Sequence, residues 1–168
     1  MKEALIIVDM QKDFVDGALG TSEAVAIVPK LVEKLSKTSK DLFFTQDTHF
    51  ENYLQTQEGK FLPVEHCIKN SEGWQIIPEL DPFVKKAVRI VEKNSFGSME
   101  LPKFLSDYDS FELVGLCTDI CVISNAMILK AAYPEKPISI DSKCCAGVSI
   151  ESHERALESM KTCQFVIL

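Results

Sequence analysis

The stretch from Phe111 to Val122 constrains the fold most. Phe111-Glu-Leu-Val-Gly-Leu116 reads as a short buried strand. It leads directly into Thr118-Asp119, residue types that cap helix N-termini. The following segment, Ile120 to Tyr133, is rich in Ala, Met, Ile and Leu and is stopped by Pro134. A strand that passes straight into a helix is the repeating unit of an α/β sheet. It also sets Cys121 in the first turn of the helix, at the carboxyl end of a strand. There the helix dipole and unpaired backbone N–H groups favour a thiolate and can hold a developing oxyanion.

The same unit recurs along the chain. Ala4-Leu-Ile-Ile-Val8 is a buried parallel strand that ends in Asp9. Residues 10–14 follow as a loop, and Asp16-Gly17 marks a turn. Residues 23–38 carry apolar positions at helical spacing, with Pro29 as a kink or as the first turn of a shorter helix. Leu42-Phe-Phe-Thr45 is a second strand that delivers Gln46-Asp-Thr-His49. Residues 50–85 hold Gly59, Pro63, Gly73, Pro78 and Pro82 and no sustained period, the mark of a functional irregular segment. Val88–Glu92, ending at Lys93, is a third strand, and 99–105 a short helix. Pro137–Asp141 is a fifth strand, Ile150–Thr162 a final helix, and Gln164–Leu168 a last strand. Alternation of this kind predicts a three-layer α/β/α, Rossmann-like domain with a mainly parallel sheet of about six strands. In such sheets ligands bind beyond the carboxyl ends of the strands. Asp9, Asp47, His49, Lys93 and Cys121 all fall at such ends.

At 168 residues the chain is long enough to bury one core, so a single domain over residues 1–168 is expected. Eighteen basic against 25 acidic residues disfavour nucleic acid and anionic membrane as partners. The apolar run after Met1 is too short for a signal peptide or a membrane span, so the expected location is cytoplasmic. Six cysteines in a cytosolic chain, with no C-x-x-C pair among them, make neither a disulfide framework nor a zinc ribbon. Cys144-Cys145 read as two packed thiols.

Two constellations carry chemistry. In the first, Cys121 is a candidate nucleophile, Asp9 a base for its proton once desolvation raises its pKa, and Lys93 the charge that orients Asp9. Taken singly, a cysteine is more often a core residue and a lysine a surface charge; Asp9, which abruptly ends an apolar strand, is the least ordinary of the three. The second is Asp47, His49, Glu58 and His66. Asp-x-His puts two ligand types on one side of an extended segment. Two histidines and two carboxylates suit a divalent ion such as Zn²⁺, Mn²⁺ or Fe²⁺. Glu51 and Glu65 compete with Glu58, and a capping Asp47 with two surface histidines is the plain alternative. Phe14 is the aromatic nearest the first constellation, and His153 caps or decorates the last helix.

Five segments in order resemble the cysteine hydrolases of the nicotinamidase and isochorismatase type. Val8-Asp-Met-Gln-Lys-Asp-Phe14 resembles the family's D-x-Q-x-D-F, and Gln46-Asp-Thr-His49 its D-x-H metal arm. Pro63-Val-Glu-His-Cys67 resembles P-x-x-H-C, Lys93-Asn-Ser-Phe-Gly-Ser98 the lysine segment, and Gly115-Leu-Cys-Thr-Asp-Ile-Cys-Val122 the nucleophile turn G-x-x-T-D-x-C-V. Asp141 and Ala146-Gly-Val-Ser149 resemble the strand and turn that follow. The resemblance implies a triad of Asp9, Lys93 and Cys121. It implies a cis peptide at Leu116–Cys117, with the N–H groups of Cys117 and Cys121 as oxyanion hole. It implies one divalent metal ion on Asp47, His49, Glu58 and His66, and Phe14 beside the substrate ring. Some members carry a further His soon after D-x-H; this chain has none, and Glu58 takes that role. A complete metal set favours a nicotinamidase, which converts nicotinamide to nicotinate and ammonia through a thioester and serves NAD salvage. Other activities in the family act on other small amides, carbamoyl compounds or isochorismate. A metal-binding or redox-sensing module is the non-enzymatic alternative. Members are often homo-oligomers, though no residue here locates an interface.

Overall fold

The computed structural model describes residues 1–168. Six strands form one parallel sheet: β1 (Glu3–Val8), β2 (Asp41–Asp47), β3 (Arg89–Lys93), β4 (Ser110–Leu116), β5 (Ile138–Ala146) and β6 (Val166–Ile167), in the order β3-β2-β1-β4-β5-β6. The helices are α1 (Lys12–Val15), α2 (Ser22–Lys37), α3 (Gln57–Phe61), α4 (Asp81–Val84), α5 (Ile123–Ala132) and α6 (Ile150–Thr162). No helix is long and apolar enough to cross a membrane.

Period-two alternation explains the three layers. Ala4, Ile6 and Val8 of β1 pack on one face with Val122, Ala126 and Leu129 beneath α5 and Met160 of α6. Leu5 and Ile7 pack on the other with Ala24, Ile27, Leu31 and Leu35 of α2. Both faces are covered, which is why the central strands read as unbroken apolar runs. Each fully buried Leu or Ile side chain contributes about 1.5–3 kcal/mol by leaving water. Cys144 and Cys145 obey the same alternation: one faces each layer, and all six cysteines are free thiols.

Several boundaries differ from the sequence reading. The expected loop at 10–14 closes into α1. Helix α2 runs through Pro29 without ending; Pro29 is exposed, so the carbonyl it leaves unpaired can take water. The short helix expected at 99–105 is one 3₁₀ turn, Leu101–Phe104, started by Ser98 Oγ accepting from the Glu100 and Leu101 N–H groups (both 3.2 Å). Strand β5 continues past Asp141 to Ala146, and β6 is only two residues.

From β1 the chain moves to β2 and β3 on one side, then returns to β4 on the other. The switch point therefore lies between β1 and β4, where Asp9 and the 117–121 turn emerge. The strands approach closely there because Gly115 adopts φ +111° and a Cβ on it would lie 2.2 Å from the Val8 carbonyl oxygen. Helix α6 is capped by Ser149 and Ser152 bonding reciprocally, not by His153. His153 Nδ1 instead bonds Thr118 Oγ1 (2.7 Å), tying α6 to the turn after β4.

Gly115→Ala is expected to cost about 2–5 kcal/mol in urea unfolding, from combined backbone strain and overlap; a loss under about 1 kcal/mol would show that β4 relaxes freely. Burial holds His153 below its ordinary 6.5, against the pull of Asp119 and Glu154. The unfolded chain thus takes up this proton first as pH falls. The stability His153 contributes is full above 6.5 and is lost as pH drops through its lowered folded value. Melting temperature followed from about pH 8 to pH 5 should fall less steeply in His153→Asn, and an unaltered slope would remove His153 as a cause.

Candidate active site

Four neighbouring strands deliver the polar groups. Asp9 follows β1, Asp47 ends β2, Lys93 ends β3 beside Asp47 in register, and the Cys121 turn follows β4. All four side chains are buried. Burying charge without partners is costly, so the pairings decide the arrangement.

Lys93 Nζ lies 2.6 Å from Asp9 Oδ2, 3.2 Å from Asp47 Oδ1 and 3.6 Å from Cys121 Sγ, and donates to the Ser95 carbonyl at 2.9 Å. Asp9 Oδ1 accepts from Thr45 Oγ1 at 2.6 Å, and Oδ2 has no partner besides the lysine. Asp9 has φ 48°, a left-handed kink that turns its side chain out of the strand line. Burial raises the Asp9 pKa above its ordinary 3.8; Lys93 opposes this and Asp47 adds to it. Burial would lower Lys93, but Asp9, Cys121 and Asp47 outweigh it and keep the ammonium.

Cys121 differs from expectation in two respects. Thr118–Val122 form a π-helical turn preceding α5, and neither Thr118 nor Asp119 caps it. Their side chains point outward instead: Thr118 to His153, and Asp119 Oδ1 to the Val148 N–H at 3.1 Å. Cap preference is a local rule, and these tertiary partners override it. The thiol is also not held as thiolate. Burial and the Asp9 carboxylate push Cys121 well above its ordinary 9.0, against Lys93. The peptide Leu116–Cys117 is cis. The Cys117 carbonyl accepts from the Ile120 and Val122 N–H groups (3.1 and 3.0 Å), while its own N–H donates to no protein acceptor.

Asp47, His49, Glu58 and His66 come together, with one ligand atom of each within 4.8 Å of the others. Glu51 and Glu65 do not join them. His49 Nε2 is 2.9 Å from Asp47 Oδ2, and Glu58 Oε1 is 3.6 Å from His49 Nε2 and 3.5 Å from His66 Nε2. His66 Nδ1 donates to the Val64 carbonyl (2.8 Å), which leaves Nε2 facing the cluster. His49 Nε2 is buried without a hydrogen bond of good geometry. An orphaned imidazole nitrogen among two carboxylates and a second imidazole fits a divalent cation. Tyr53, fully buried, packs edge-on against both imidazoles (4.8 and 5.0 Å), and Phe14 tilts against His66 (5.4 Å).

A cavity of about 300 Å³ opens onto Asp47, Glu58, His66, Cys117 and Cys121, with Phe14 in its wall. That volume is at the small end of ligand pockets, which begin at roughly 300 Å³. Leu19, Leu62, Phe96, Ile120 and Val148 complete its apolar wall; nothing in their spacing marks them in the sequence. Two further residues missed by sequence reasoning were visible in the D-x-Q-x-D-F segment. Gln11 grips the Asp47 backbone at both ends, accepting from its N–H (2.7 Å) and donating to its carbonyl (2.8 Å), and also donates to the Trp74 carbonyl (2.9 Å). Asp13 Oδ2 accepts from the Cys67 N–H at 2.7 Å, next to His66. Trp74 backs this scaffold through Nε1 to Thr48 Oγ1 (2.9 Å) and lines neither wall.

The chain is 27% identical to the nicotinamidase of Escherichia coli, over 91% of its own length and 87% of that protein. It is 31% identical to the isochorismatase family protein PncA of Bacillus subtilis, covering 94% and 93% of the two chains. The crystal structure of the pyrazinamidase of Pyrococcus horikoshii in complex with zinc superimposes with a TM-score of 0.85 at 28% identity, over 100% of this chain and 99% of that one. The isochorismatase domain profile matches residues 3–168, and with that match, the shared fold and the nicotinamidase relatives, this chain belongs to the isochorismatase family of hydrolases.

Proposed function

We propose that residues 1–168, as one domain, are a nicotinamidase that converts nicotinamide to nicotinate and ammonia through a Cys121 thioester, as in NAD salvage. The observation that carries the reading is the position of Lys93: one ammonium is within 3.6 Å of a buried thiol and within 3.2 Å of carboxylates belonging to two different clusters. The thiol and three members of the cation-binding group, Asp47, Glu58 and His66, thereby open on one small cavity, with Asp9 buried behind them on the lysine.

In this reading Asp9 takes the Cys121 proton as the sulfur attacks the carboxamide carbon. Its raised pKa suits it to hold that proton, and Lys93 on Oδ2 and Thr45 on Oδ1 hold the carboxylate against the sulfur. The Cys117 and Cys121 N–H groups receive the oxyanion. Asp9 gives the proton to the departing amine, so ammonia leaves and the thioester remains. Asp9 then draws a proton from the water that attacks the thioester; collapse of the second oxyanion releases nicotinate and restores the thiol. Asp47, His49, Glu58 and His66 would hold a divalent ion, and that ion would supply a Lewis-acid contact for a pyridine nitrogen. Phe14 and Phe96 supply an apolar wall for the ring. Pyrazinamide has the same ring outline with one more nitrogen and should also be hydrolysed.

Ammonia release from nicotinamide by purified, metal-quantified protein tests the reading. Cys121→Ala should lower the rate by at least about 10³-fold while leaving the melting temperature and nicotinate binding nearly intact; undiminished turnover would sink the nucleophile assignment. No ammonia from nicotinamide, with Cys121-dependent release from another small amide, would move the substrate within the family.

Chelation, or His49→Ala, should raise KM for nicotinamide more than it lowers kcat, and should remove one equivalent of bound metal. A metal-free wild-type protein with unchanged KM would reject the cation role.

A further inference from the structure

We propose that Asn125 is a positioning residue that locks the Cys121 turn against the cavity wall carried by residues 94–98. This rests on the reading of Cys121 as nucleophile. Asn125 sits on the inward face of α5, beside Ala126 and Leu129, and is fully buried. An apolar side chain would be the ordinary occupant there, since burying an amide costs energy unless all its bonds are made. Both donors and the oxygen are partnered: one bond is local, to the carbonyl four residues back, and two reach across to residues 96–98. Oδ1 accepts from the Ser98 N–H (3.0 Å). Nδ2 donates once to the Phe96 carbonyl (3.2 Å) and once to the Cys121 carbonyl (2.8 Å). Both amide protons and the acceptor are thus spent on the backbones of two different segments.

Those segments are the two that must keep register. One carries the thiol on a π turn, whose irregular ladder gives it less intrinsic rigidity than α-helix. The other follows Lys93, and its Phe96 is the exposed edge of the cavity wall. Lys93 Nζ already holds the Ser95 carbonyl, so Asn125 adds the second and third attachment points of this loop. Gly97 lets the loop lie on α5: a Cβ there would come within 2.5 Å of Ile128 Cδ1. Side-chain hydrogen bonds to backbone fix position more sharply than apolar packing, because they are directional. Asn125 therefore sets the distance between the sulfur, the ammonium and the wall that presents the substrate's amide.

The test compares Asn125→Ala and Asn125→Ser with Leu129→Ala, a fully buried residue on the same helix whose apolar side chain makes no hydrogen bond to either segment. Kinetics on nicotinamide are read well below each melting temperature, together with the rate at which iodoacetamide alkylates Cys121. Asn125→Ala should lose about 10- to 100-fold in kcat, the scale of a misplacement near 1 Å, and change the alkylation rate at least about fivefold. Asn125→Ser, which keeps one hydroxyl donor, should fall between it and the wild type, and stands in for it if the alanine variant does not fold. Leu129→Ala should lower the melting temperature by a similar amount or more, with kcat within about twofold of wild type. Asn125 variants that track Leu129→Ala in stability but keep wild-type kcat and alkylation rate would overturn the proposal while Cys121→Ala remains inactive. Full turnover by Cys121→Ala would overturn it together with the reading beneath it.

Discussion

The Lys93 ammonium is the interaction on which the centre depends. It is buried at the end of β3 with Asp9 on one side and Asp47 on the other. Removing a single partner of a buried ion pair leaves an uncompensated charge, at a cost of about 3–5 kcal/mol. Lys93 offsets the burial of both carboxylates, alone among the charges near Asp9 and together with the His49 hydrogen bond at Asp47. The pairing does not close the charge balance, however. Asp9 and Asp47 share one ammonium, and Glu58 adds a third carboxylate beside the two imidazoles with no cationic side chain of its own. A divalent cation on Asp47, His49, Glu58 and His66 is the simplest group that would restore neutrality without protonating a ligand, which is an electrostatic argument for the metal independent of any relative.

The segment from Asp9 to Phe14 works as a template for both halves of the site. Asp9 meets the lysine and faces the thiol, Gln11 clamps the Asp47 backbone, Asp13 ties down the strand of chain beside His66, and Phe14 tilts on the His66 ring. The two ligand arms are also laced to each other, since the His49 N–H donates to the Cys67 carbonyl and the Lys69 N–H to the His49 carbonyl (2.9 and 2.8 Å). The imidazoles are therefore held by backbone geometry set from β1 and β2. That rigidity is what a first coordination sphere needs, because ligand direction decides affinity as much as ligand identity.

Much of this was legible because parallel strands buried on both faces announce themselves, and because an apolar run that stops at Asp9, Asp47, Lys93 or Cys117 names its own carboxyl end. The cluster was legible as residue types, and the structure brings Glu58, not Glu51 or Glu65, beside the two histidines. Three features were not legible. The bridge from His49 to Ile68 joins segments far apart in the chain, and the helix at 57–61 is too short to show a period, so local periodicity records neither. Thr118 and Asp119 look like caps by residue type, and only the positions of His153 and Val148 redirect them. The protonation of Cys121 turns on its depth and on the Asp9 carboxylate beside it, and neither is visible from the start of a helix.

A protonated resting thiol has a consequence for how the centre divides its work. A permanent thiolate would be available to any electrophile that reached it. A thiol that gives up its proton to Asp9 only as attack proceeds depends on an electrophile held in line, so reactivity is coupled to positioning. Two scaffolds supply that positioning, joined through Lys93 and through the Asp9–Phe14 segment. Gln11, Asp13 and Tyr53 fix the arms that would bind the ring, whereas His153, Val148 and Asn125 fix the turn that carries sulfur. In the proposed reading, errors in the first fall mainly on substrate affinity and errors in the second mainly on the chemical step. Lys93, which touches Asp9, Asp47, Ser95 and Cys121 at once, is the residue through which either error reaches the other side.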